Sequence, residues 1–139
     1  MRIKRLRAYT RIVSGAGVLL LCVTLLSCSV LRYVRTETVA GGVLVNRLIL
    51  DRHTFRLERD SDEGKVVYVG RFDVSGDLWT FQIISWSSSA GKSQQIDPPL
   101  LFVCRGRSFD NGVAFFVASS RPAGMDAFLE LPSDFDREP

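Results

Sequence analysis

Gly70-Arg71-Phe72-Asp73-Val74-Ser75-Gly76-Asp77-Leu78-Trp79-Thr80-Phe81-Gln82-Ile83-Ile84 is the stretch that decides the fold of this chain. Successive side chains of an extended strand point to opposite faces, so strict alternation of apolar and polar residues marks a half-buried strand. Here Phe72 and Val74 alternate with Arg71 and Asp73, and Trp79, Phe81 and Ile83 alternate with Thr80 and Gln82. Between them, Gly76-Asp77 supplies the φ > 0 geometry that a tight hairpin connection requires. The reading is two paired strands with one apolar face, which Tyr68 and Gly70 extend on the first arm. A glycine inside that arm, Gly70, predicts a bulge or a sharp bend.

The same grammar continues outward in both directions. Toward the N-terminus, residues 44–50 place Leu44, Leu48 and Leu50 on one side, and residues 51–54 form a turn. Phe55 and Leu57 then face inward while Arg56 and Glu58 face water, and residues 60–65 read as a charged turn. Toward the C-terminus, residues 85–97 read as a polar crossing, the longest loop of the domain, stiffened at its exit by Pro98-Pro99. Loops of that length are often mobile or functional. Residues 100–104 and 113–118 form another hairpin around the strong turn signal Asp110-Asn111-Gly112, with Phe102 and Cys104 facing Phe115 and Val117. Arg121-Pro122-Ala123-Gly124 turns again, residues 128–131 read as a last short strand, and the acidic residues from 132 onward as a frayed tail. No apolar stripe recurs at helical spacing over three turns, so the domain is mainly β, a small antiparallel meander forming a barrel or sandwich.

A different signature precedes it. Arg2, Lys4, Arg5, Arg7 and Arg11 stand before the apolar run of residues 12–26, with no acid before Glu37. This is the charge arrangement of an export signal. The run falls short of the roughly 20 apolar residues of a spanning helix. It ends in Leu25-Leu26-Ser27-Cys28, which resembles the lipobox of bacterial lipoproteins through Leu25, Ser27 and Cys28. Leu26 is bulkier than the small residue of the strict pattern and is similar to the looser lipoboxes of spirochaetes. The resemblance implies diacylglycerol on the Cys28 thiol, cleavage before it and acylation of the new amino group. Two alternatives stay open: an uncleaved anchor continuing through Ser29-Val30-Leu31, and a plain cleaved secretory signal.

Removing the leader changes the charge account. From Cys28 onward the chain has 13 Lys or Arg against 15 Asp or Glu, a side-chain charge of −2, so the basic character belongs to residues 1–27. The remaining cations alternate with acids, as in Arg56-Leu57-Glu58-Arg59-Asp60, which sets nucleic acid aside. The 112 residues from Cys28 suffice for one domain with a real core. Cys22 lies in the leader and Cys28 is the acylation candidate, so Cys104 has no cysteine to pair with and apolar burial alone must hold the domain. The boundaries read as a signal at 1–27, lipidated cysteine and tether at 28–42, β domain at 43–131 and flexible tail at 132–139.

The hairpin stretch has its own, weaker likeness. Phe55-Arg56-Leu57, a charged turn, and then residues 70–81 with Gly70, Phe72, Gly76 and Trp79 resemble the core hairpin of small lipocalin-like lipoproteins, over about 30 residues of 139. The resemblance implies a calycin-type barrel or flattened half-barrel with no catalytic residue to carry over.

Chemical constellations are few. His53 sits in a turn without ligand partners at metal spacing, and Cys104 on an alternating strand reads as a buried thiol. Ser87-Ser88-Ser89 lacks the flanking glycines of a nucleophile elbow. Asp60, Asp62 and Glu63 do not complete a calcium loop. No cofactor is implied. The candidate ligand-facing residues are Tyr68, Trp79, Phe81 and Trp86, which either line a cavity or fill the core. The expectation is a non-enzymatic envelope lipoprotein, held to the inner or outer membrane through acyl chains on Cys28, that binds an apolar small molecule or a protein. The alternative is a structural or assembly lipoprotein with a solidly packed barrel. A cavity of a few hundred Å³ behind Tyr68, Trp79 and Phe81 separates the two.

Overall fold

The computed structural model describes residues 30–125 and 128–139. The expected export signal and the candidate acylation site at Cys28 lie outside the described residues. Eight strands follow one another: β1 Leu31–Val39, β2 Gly42–Asp51, β3 Thr54–Ser61, β4 Gly64–Ser75, β5 Leu78–Ser88, β6 Ser93–Phe109, β7 Gly112–Ser120 and β8 Ser133–Arg137. Each pairs antiparallel with its successor and β8 returns to β1, so the domain is a closed up-and-down barrel. Closure gives every strand two neighbours and an inner face, which is why the alternation recurs along the chain.

The central hairpin forms as its sequence predicts. Phe72, Asp73 and Val74 pair with Phe81, Thr80 and Trp79 across the Gly76-Asp77 turn, and Gly76 has φ +63°. Trp79, Phe81 and Ile83 are buried; Val74, next to the turn, is largely exposed where the strand runs past the core. Gly70 marks a bulge: Val69 pairs with Ser85 but Gly70 with Ile83, leaving Ile84 as the extra residue. The cause is a close approach, since a Cβ on Gly70 would lie 1.9 Å from the Gln82 carbonyl oxygen and 2.8 Å from the Phe55 ring.

Four expectations are corrected. The tether placed at residues 28–42 is, from Leu31 to Val39, strand β1, paired with β2 over nine residue pairs. Its inward residue Tyr33 joins the core, while its charged neighbours hid the alternation. The polar crossing at 85–97 is instead the outer half of the β5–β6 hairpin, where Ser85, Trp86 and Ser87 pair with Gln95, Gln94 and Ser93. Backbone hydrogen bonds sustain a ladder there with almost no apolar face to announce it. Pro98-Pro99 falls in the irregularity between Ser85↔Gln95 and Ile83↔Leu100, where no amide is called on to donate. Val117 faces outward, because a register shift opposite Arg105 and Gly106 makes Phe116 an extra residue and hands the inward position to Ala118. Finally, residues 128–131 are no strand, and the tail from 132 contains strand β8, whose Phe135 is buried.

The barrel has two unlike ends. At the entry end, Val30 leads into β1 beside the turns at Arg52-His53, Gly76-Asp77 and Asp110-Asn111. At the opposite end, the mouth, lie the turns at Ala40-Gly41 and Asp62-Glu63, the turn at 89–92, and the long β7–β8 connection.

Candidate functional site at the plugged mouth

A barrel of eight strands encloses a space that side chains either fill or leave for one small ligand. Here the inner faces bring Phe55, Phe81, Phe102 and Phe115 together, each no more than 2 % exposed. A fifth ring, Phe128, comes from the β7–β8 connection and not from a strand. Its ring lies edge-on to four others, with centroid separations of 5.7 Å to Phe55, 5.4 Å to Tyr68, 5.8 Å to Phe81 and 5.2 Å to Phe102. Edge-to-face contacts at such distances satisfy the ring quadrupoles in addition to burying apolar area. The connection thus folds inward and stops the mouth.

Polar groups hold the stopper. Arg121 Nη2 donates to the Leu129 carbonyl at 3.0 Å, and its guanidinium stacks over the Phe102 ring 5.4 Å from the centroid. Arg59 reaches Glu130 at 3.8 Å from β3. Beneath, Arg35 and Glu37 of β1 form an ion pair close to the buried Asn46. These side chains, with Leu57 and Phe128, surround a void of about 10 Å³. That is about the volume needed for one water molecule and far below a ligand pocket.

The four expected ligand-facing residues divide. Trp79 and Phe81 are core: Trp79 lies against Phe72, Phe81 and Phe115 at 6.1, 6.2 and 5.2 Å. Tyr68 lies half-buried beneath the stopper, and burial raises its hydroxyl pKa, opposed by the nearby charge of Arg59. Trp86 pairs opposite Tyr68 and is half-buried, and its indole Nε1 donates to Gln94 Oε1 at 3.3 Å. Phe128 connects Tyr68 to Phe81, and sequence reasoning missed its role. The only signal was an apolar pair, Phe128-Leu129, between a glycine turn and a proline, which reads equally well as a strand.

Cys104 is fully buried, and burial pushes its thiol up to about 12, with Arg121 opposing, so the nucleophilic thiolate is suppressed. His53 is exposed in its turn. Among the described residues no cluster of His, Cys, Asp or Glu could hold a metal ion. The Ser133 hydroxyl is buried on the inner side of β8 without a hydrogen-bond partner among the described residues.

The outer wall offers a second feature. Phe109, Ala114 and Phe116 line a groove of about 300 Å³ along β7 and β8, bordered by Asp134 and Asp136. Both phenylalanines are about half exposed. Elsewhere the wall carries Arg56, Arg71, Asp73, Arg105 and Arg107 together with the exposed apolar Val43, Val69, Leu101 and Val117. Among the described residues no helix is long and apolar enough to cross a membrane. No family model, curated protein or solved structure matches the chain.

Proposed function

We propose that this chain is a non-catalytic envelope lipoprotein, anchored outside the cytoplasm through Cys28, whose packed barrel docks a protein partner on its outer wall and carries no ligand inside. The observation that supports this reading is Phe128. With its ring in contact with Phe55, Tyr68, Phe81 and Phe102, the inner space is occupied by the chain's own side chain. The groove beside Phe109 and Phe116 is the surface suited to a partner, since exposed apolar area rimmed by charge is characteristic of interaction sites. Its carboxylates, Asp134 and Asp136, favour a segment bearing an apolar side chain next to a Lys or Arg.

The anchoring half of the proposal is tested by metabolic labelling with a fatty acid: Cys28→Ala should abolish incorporation, and unchanged labelling would refute it. The packing half is tested by native mass spectrometry of the purified protein. The mass should equal chain plus acyl groups; a stoichiometric apolar passenger, displaced by no Phe128 movement, would return the barrel to the ligand carriers.

A further inference from the structure

We infer that the barrel stands end-on against the bilayer, with its entry end in contact with lipid headgroups and its plugged mouth facing away. This rests on the membrane-anchoring reading of residues 12–28 but holds for an acylated Cys28 and for an uncleaved anchor alike. Strand β1 begins at Leu31, so only Ser29 and Val30 separate the strand from Cys28. Three Cα–Cα steps span at most about 11 Å even when fully extended. The polar layer on each side of a hydrocarbon core is itself roughly 5 to 8 Å thick. A barrel whose first strand starts within that distance of the anchor has almost no water beneath it. A flexible tether of residues 28–42 would have allowed the domain to tumble freely; the pairing of β1 with both β2 and β8 removes that freedom.

The entry end suits such a position. Val30, Val74 and Phe109, all exposed, lie at this end of the chain's strands, as residues that can sit among headgroups without first leaving a packed site. Around Val30 is a depression of about 540 Å³ in which Arg32 and Arg137 share the wall with Asp110 and Glu138. Both signs are present, so this surface complements headgroups that carry a phosphate and an ammonium together, and no excess of cations draws it to an anionic membrane. The short connection, and not electrostatic attraction, is what holds the end down. As a consequence, a protein partner reaches the mouth with its turns at Ala40-Gly41 and Asp62-Glu63 and the wall from above, and meets the β7–β8 groove at its Ala114, Phe116 and Asp134 end, while Phe109 and Asp136 at the groove's lower end lie at the headgroup layer.

The test uses the full chain purified from membranes and reconstituted into phosphatidylcholine–phosphatidylethanolamine vesicles, with a fluorescent amino acid incorporated at position 109 or at position 90. Nitroxide-labelled headgroups should quench the probe at 109 several-fold more than the probe at 90. A spacer of about fifteen Gly and Ser residues inserted after Ser29, with a root-mean-square reach of about 20 Å, should bring the two close to equality. Equal quenching without the spacer, in protein that stays on the vesicles, overturns the end-on arrangement and leaves the anchoring intact. An unchanged difference with the spacer overturns the claim that the short connection enforces it. Protein that washes off the vesicles overturns the anchoring and this inference with it.

Discussion

The central hairpin and the closing seam of this barrel are built by different means. β4 and β5 pair over ten residue pairs, and Trp79, Phe81 and Ile83 deliver three buried side chains from one strand by alternation alone. At the seam, β8 is five residues long and meets β1 in only two pairs, Tyr33↔Arg137 and Val34↔Asp136. Near the seam, Leu129 of the β7–β8 connection shares one small void with Arg35 and Glu37 of β1 and Phe135 of β8, held by Arg121 at its carbonyl and by Arg59 at the adjacent Glu130, while Phe128 reaches across to β3, β4, β5 and β6. A ladder is local and repetitive; a seam depends on residues far apart in sequence that meet only when the barrel closes.

The largest effect is expected from removing one side of the seam. A chain beginning at residue 43, where a domain read from its sequence would start, lacks β1 and exposes the edge of β2. It should fail to fold or aggregate, whereas a chain beginning at Val30 should unfold cooperatively in urea. Equal midpoints for the two would show that β1 is dispensable to the closed barrel.

Next in size is the hairpin core. Phe81→Ala should cost about 3 to 5 kcal/mol, because Phe81 touches Phe55, Phe72, Trp79, Phe102, Phe115 and Phe128 and the surrounding strands cannot collapse onto the space left. Denaturation curves give the value directly. A loss under about 1 kcal/mol, the range of exposed positions, would contradict its burial.

Phe128→Ala sharpens the contrast, since the ring is as buried as Phe81 but hangs from a connection that can move inward. The expected cost is smaller, about 2 to 3 kcal/mol, with binding of an apolar dye to the emptied mouth. A cost equal to that of Phe81→Ala would mean that the stopper is as rigid as the strands.

The smallest effect belongs to the wall of β3 and β4. Glu58 accepts hydrogen bonds from Lys65 Nζ and Arg56 Nε, both at 2.7 Å, and the Lys65 bond chiefly holds its carboxyl below the ordinary 4.5. A lowered folded-state pKa means that the stabilisation is fully present above pH 4.5 and is lost as pH falls through the folded value. Glu58→Gln should therefore cost roughly 0.2 to 1 kcal/mol at neutral pH, and the difference from the parent chain should vanish in acid. A difference that persists at pH 2 would assign the effect to packing.

What could be read from the sequence follows from the range of the forces involved. Alternation in 55–58, 70–74 and 79–83, with turns at Gly76-Asp77 and Asp110-Asn111, determined a meander of hairpins and the inward side of Tyr68, Trp79, Phe81, Phe102 and Cys104, because strand period and turn geometry are properties of neighbouring residues. Where that periodicity fails, the reading failed: Phe116 inserted as an extra residue turned Val117 outward, and the ladder of Ser85, Trp86 and Ser87 lacks an apolar face. Only the tertiary structure decided that eight strands close, that β1 and β8 belong to them, and that Phe128 fills the mouth. Those outcomes depend on contacts such as Tyr33 with Arg137's strand and Phe128 with Phe55, between residues separated by most of the chain. No local pattern encodes a volume, and whether the interior is empty or full is a property of the closed barrel alone.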